Sequence, residues 1–117
     1  MVVLFYDTDE FMDVYEGRKD YELKIYDNTT DFYEDKDVVI IEDKTRGRFF
    51  TGIITRVQFY SSLEKVFESV DFKKYVPSAS SISEAIEHYE NSPGFTQKAR
   101  DLGVISFKIT KISSIGY

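Results

Sequence analysis

Two lysines and a glutamate are spaced for chemistry in one short stretch, Gly17-Arg18-Lys19-Asp20-Tyr21-Glu22-Leu23-Lys24. A lysine shielded from solvent can act as base or nucleophile once its pKa falls, and a nearby carboxylate can orient it or move protons. The same carboxylate, forming no more than an ion pair, stabilises the ammonium and opposes base chemistry at neutral pH. The residue types therefore leave two readings open, a functional Lys19–Glu22 site or a surface ion pair. Other chemistry has few candidates. The chain has no Cys and a single His, His88. That removes disulfides, thiolate metal sites and Cys catalysis, counts against a Ser–His pair, and leaves carboxylates for metal binding.

The flanking pattern predicts how these residues are positioned. Phe11, Val14 and Tyr15 have helical spacing before Gly17, which ends the helix because a C′ residue often needs positive φ and glycine adopts it freely. Tyr21, Leu23 and Ile25 then alternate, predicting a strand over residues 21–26 whose odd positions face the core. Glu22, Lys24 and Tyr26 project together from the other face, with Lys19 leaning over it and both Lys19 and Glu22 exposed. Upstream, residues 2–6 read as a strand and Asp7-x-x-Glu10 as an acid-led capping box. Downstream, a polar loop over 27–31 precedes Val38-Val39-Ile40-Ile41, a β-branched run expected to be buried on both faces. A hairpin with Gly47 at its tight point leads to the longest strand, where Gly52 suggests a bulge. Ser61-x-x-Glu64 and Ser81-x-x-Glu84 open two helices, residues 97–101 add a helical turn, and a closing strand follows Gly103. The 117 residues form one domain, without repeats, low-complexity runs or linkers.

Gly17, Lys19 and Glu22, in this spacing after a short helix, resemble the ASCH family of the PUA-like superfamily, whose signature is Gly-x-Lys-x-x-Glu-x-Arg. Lys24 stands where that family has Arg. The likeness runs on through Glu34-Asp35-Lys36-Asp37, with Lys36 where Gly is usual, and through the aromatic-Ser step Tyr60-Ser61-Ser62 into a helix. It implies an α/β (α+β) fold, a PUA-like curled, mainly antiparallel β-barrel of about five strands with two to four flanking helices. It also implies binding of RNA, single-stranded nucleic acid or a nucleotide-like small molecule in a cleft around the motif, with Arg18, Lys19, Glu22, Lys24 and Tyr26 as ligand residues. Bacterial amidohydrolases of the superfamily act on acetylated cytidine through a Lys-x-x-Thr arrangement and a downstream acid. Here Glu22 replaces the Thr, and residues 75–80 contain no acid. A ribonuclease would use Lys19, Glu22 and Lys24 as base, acid and phosphate clamp. A protein-interaction domain is the third reading, which an acidic N-terminal half suits.

Charge is divided along the chain. Residues 1–43 hold 14 of 21 acids and 4 of 15 bases, and residues 44–63 hold no acid at all while carrying Lys44, Arg46, Arg48 and Arg56. Arg46, Arg48 and Arg56 interleave with Phe49, Phe50, Phe59 and Tyr60, a composition that contacts phosphates and stacks unpaired bases. The alternative is a solvated hairpin tip with the rings in the core. Tyr60, Ser61 and Ser62 are further ligand candidates, because a helix N-terminus has free N–H groups. His88 reads as a solvated helix residue, and the acids near Asp7 as a cap. No cofactor is implied, no membrane segment appears, and the expected location is the cytoplasm.

Overall fold

The computed structural model describes residues 2–116. Strands β1 (Val2–Tyr6), β2 (Tyr21–Ile25), β3 (Val38–Asp43), β4 (Arg48–Tyr60) and β5 (Val104–Lys111) form one sheet in the order β1-β3-β4-β5-β2. β1 and β3 are parallel, and the other neighbours are antiparallel. β4 pairs with β3 through residues 48–53 and with β5 through residues 52–60. The sheet curls until its edge strands β1 and β2 approach, and a hydrogen bond from the Tyr6 hydroxyl to Glu22 bridges them. Four helices accompany it: α1 (Thr8–Tyr15), α2 (Leu63–Ser69), α3 (Ile82–Glu90) and α4 (Phe95–Leu102), with a 3-10 turn at Phe72–Lys74.

Each face of the sheet has its own core. Inside the curl, Val2, Leu4 and Tyr6 of β1 pack with Phe11 and Val14 of α1 and with Val39, Ile41, Phe50, Phe107 and Ile109. Outside it, α2, α3 and α4 cover Tyr21, Leu23 and Val104 through Leu63, Val66, Phe67, Ala85 and Ala99. Tyr21 and Leu23 thus face a core, as their alternation predicts. The opposite face of β2 is not the open surface expected, however. Glu22 lies beside Phe107 across the ladder, so it points into the curl.

Three local expectations are corrected. β3 is buried on one face, with Val39 and Ile41 at 0% exposure and Val38 at 41%, because the helix-covered cluster takes no residue from it. Gly52 pairs regularly with Val39 and Lys111, and its need is space, since a Cβ there would lie 2.9 Å from the Thr110 carbonyl oxygen. The bulge falls instead between Thr55 and Gln58, where Arg56 has φ 53°. At the start of α2 the capping residue is Ser62, which accepts from the Lys65 amide, rather than Ser61. Asp7 and Ser81 cap α1 and α3 as expected.

Candidate ligand-binding site

Gly17, at φ 82°, turns the chain out of α1. The Lys19 amide then donates to the Asp13 carbonyl at 3.0 Å and the Asp20 amide to the Lys74 carbonyl at 3.1 Å. Pinned on both sides, Lys19 drives its side chain inward, where it is fully buried. Its ammonium donates to the Tyr75 carbonyl at 2.6 Å and to the Tyr89 hydroxyl at 3.3 Å. It lies 3.3 Å from Glu22 Oε2 and 3.6 Å from Glu10 Oε2, against the rings of Tyr6 and Tyr89. Glu10 also meets His88 Nε2 at 3.5 Å. Lys19 and Glu22 are therefore within reach of each other, but buried rather than exposed. A buried charge persists only where partners replace its water, and here both charges have them.

The Glu22 carboxylate has little left to offer. Oε1 accepts from the Tyr89 hydroxyl at 2.6 Å and from the Leu23 amide at 2.9 Å, while Oε2 accepts from the Tyr6 hydroxyl at 2.5 Å and faces Lys19. Burial by itself pushes this carboxyl up, but the Lys19 ammonium and the donors Tyr6, Tyr89 and Leu23 N–H together hold it below the ordinary range. Burial, followed by the Glu22 charge, raises both tyrosines well above theirs. Both phenols stay protonated with their protons committed to Glu22, so a further group can meet them only at an oxygen lone pair, and the Tyr89 oxygen already accepts from Lys19.

Above this network a cleft of about 360 Å³ opens between the edge strands β1 and β2. Tyr6, Glu22 and Tyr89 line it together with Phe5, Lys24 and Phe95. Lys19 is not part of that lining and sits behind Glu22. Tyr89 belongs to the outer cluster, and its hydroxyl reaches Glu22 past the free edge of β2. Phe5 is 59% exposed, which leaves a ring available at the rim. The cleft thus combines acceptors, aromatic walls and one ammonium.

The other residues singled out in the sequence lie elsewhere. Arg18 is exposed and paired with Asp13 at 2.7 Å and Glu16 at 2.9 Å. Tyr26 follows β2 and sets its ring against Phe59. Arg48 binds Asp43 at 3.0 Å and lies over the Phe11 ring, while Arg46 stands exposed in the adjoining hairpin. Arg56 donates to the Tyr21 hydroxyl and shares a hollow with Tyr60. Ser61 and Ser62 line a different hollow, with Glu64, Glu90 and Arg100. A single cleft uniting the motif with residues 60–62 is therefore not formed, because Tyr60 packs on the outer cluster and Glu22 points into the curl. The sheet separates them. Sequence reasoning missed Tyr6, Glu10, Tyr75 and Tyr89 as partners of the central pair.

Among the described residues no three His, Cys, Asp or Glu side chains group to hold a metal ion, and no helix is long and apolar enough to cross a membrane. No family model and no curated protein matches the chain. Among solved structures, the crystal structure of hypothetical protein PH0355 matches 94% of this chain and 97% of its own, at TM-score 0.81 and 19% identity. The solution structure of protein PF0455 from Pyrococcus furiosus matches 97% of this chain and 98% of its own, at TM-score 0.76 and 18% identity. The likeness is one of fold. Five strands in a curled, mainly antiparallel sheet with four helices among the described residues make up the α+β fold that these structures share.

Proposed function

We propose that the protein binds a nucleotide unit, free or within single-stranded RNA, in the cleft between β1 and β2, and that it does so as an ASCH-like binding domain. The observation that carries this reading is the cleft floor, where Tyr6 and Tyr89 give their protons to Glu22 and the three residues line a space of nucleoside size. Ligand pockets start at about 300 Å³, so the cleft suits one flat ring and not a duplex. Acceptors at the floor favour a base edge whose donor is an exocyclic amino group, as in cytidine and adenosine, over one that sets a carbonyl there beside an imino N–H, as in uridine and inosine. Phe5 and Phe95 supply faces for stacking, and Lys24 supplies a cation for a phosphate.

Binding is favoured over catalysis by Lys19. Its amine is fully buried between two carboxylates and behind the cleft lining, out of reach of a ligand in the cleft. Titration of the protein with cytidine, uridine, adenosine and inosine, followed by amide NMR shifts, tests the reading. Cytidine and adenosine should bind about threefold to tenfold more tightly than uridine and inosine, the worth of one hydrogen bond. Shifts should centre on residues 5–6, 22–24 and 89–95. Absence of saturable shifts with any nucleoside, nucleotide or single-stranded oligonucleotide refutes the binding role. Turnover of a nucleoside or RNA that disappears in Lys19→Ala with affinity retained would establish an enzyme instead.

A further inference from the structure

We propose a second binding site, for a phosphate group, on the helix-covered face of the sheet and centred on Arg56. It does not depend on the reading of the cleft. The bulge between Thr55 and Gln58 holds Arg56 at φ 53°, a backbone conformation that residues with a side chain rarely adopt. It also turns the guanidinium to the hydroxyl of Tyr21, to which Nη1 donates at 3.1 Å. Tyr21 belongs to the outer cluster, so the guanidinium is fixed on the side of the sheet opposite Glu22.

Its electrostatics set Arg56 apart from Arg18 and Arg48. Arg18 lies on Asp13 and Glu16, and Arg48 on Asp43. Arg56, by contrast, makes no ion pair with any described residue, and Asp35 accepts from the adjacent Val57 amide instead. The guanidinium borders a hollow of about 240 Å³ that has no acid in its lining. Gln58, Tyr60 and Ser69 add an amide and two hydroxyls to that lining. A charged fork with most of its N–H groups unused, beside neutral polar groups in a lining free of carboxylates, suits a tetrahedral oxyanion. On a chain of formal net charge −6 such an acid-free hollow is a local exception. The geometry fits a phosphate monoester, or one phosphate of a nucleic-acid backbone.

Arg56→Gly gives a clean test, because glycine accepts the positive φ and the variant keeps its fold while losing the guanidinium. Inorganic phosphate and pyrophosphate are titrated at low ionic strength against a chloride control, with side-chain and amide NMR shifts followed at residues 56–60 and 69. Saturable shifts there, weakened at least tenfold in Arg56→Gly and less in Arg56→Lys, are expected, with the cleft residues Glu22 and Tyr89 unmoved. A single-stranded oligonucleotide that displaces phosphate identifies a backbone phosphate, and failure to displace it identifies a small phosphorylated ligand. The proposal is overturned if no saturable shift occurs at these residues, or if Arg56→Gly binds phosphate as the wild type does. Either result leaves nucleoside binding in the cleft unaffected, so the two sites fail or stand separately.

Discussion

Removing one member of the Lys19–Glu22 pair should cost far more than removing both. Lys19→Met leaves a carboxylate only 7% exposed with three hydrogen bonds and no cation beside it. Glu22→Gln leaves a fully buried ammonium with Glu10 at 3.6 Å as its remaining carboxylate, and sets an amide donor among groups that donate. Each single change should destabilise by about 3–5 kcal/mol, the cost of an uncompensated buried charge. Against a domain stability of about 5–15 kcal/mol, that approaches unfolding. The double variant removes both charges and should lose only about 1–3 kcal/mol, giving a coupling energy of at least about 3 kcal/mol. Urea unfolding followed by circular dichroism at neutral pH measures all four corners of the cycle, and unchanged m-values confirm that midpoints report stability. The pair also sets a pH dependence. Because the folded Glu22 pKa is lowered, its contribution is present above the unfolded value of about 4.3 and is lost as pH falls through the folded one. Glu22→Gln should remove that acid-limb loss. Additive single effects below about 1 kcal/mol each would refute the buried-pair reasoning and return the two residues to a surface role.

Lys24→Ala should weaken a nucleoside monophosphate about threefold to tenfold at low salt while leaving the unphosphorylated nucleoside unchanged, and the difference should shrink at high salt. Calorimetry at two ionic strengths checks both parts. Gly103→Ala should destabilise by about 2–4 kcal/mol. Its φ is 79°, and a Cβ would sit 2.5 Å from the Phe59 ring and 2.8 Å from the Tyr60 carbonyl oxygen. A thermal midpoint within a degree of wild type would contradict that close approach. Lys36→Gly should instead stabilise by about 0.5–1 kcal/mol, since Lys36 already adopts φ 75°. Urea midpoints decide its sign.

Period-two alternation made the parity of β2 legible, and the sequence placed Glu22 and Lys24 on one side of it. What lay on that side could not be read locally. It depends on β1 closing toward β2, a contact between edges of a sheet whose strand order follows from pairings made far apart in sequence. The network partners Tyr6 and Tyr89 are 16 and 67 residues from Glu22. A signal for Tyr6 was nonetheless present. It shares inward parity with Val2 and Leu4, and a buried phenol needs an acceptor that an apolar core does not provide. Asking where that proton goes leads to a carboxylate inside the curl. Tyr89 has the same requirement from the helix side.

The bulge of β4 carried a comparable signal that glycine obscured. Phe50, Gly52 and Ile54 are all buried at even positions, so unbroken alternation would turn Arg56 into the apolar interior. A charge at an inward position is costly, and one extra residue in the strand reverses parity. The structure takes that course. Val57 packs on the inner cluster, and Arg56 turns to Tyr21 on the outer face. Gly52 drew attention as the residue that permits a bulge, whereas the ladder needed it only for space beside Thr110. The residue that demands a register shift is the one that cannot be buried, which places the irregularity in β4 at Arg56 and opens the hollow beside it to an anion.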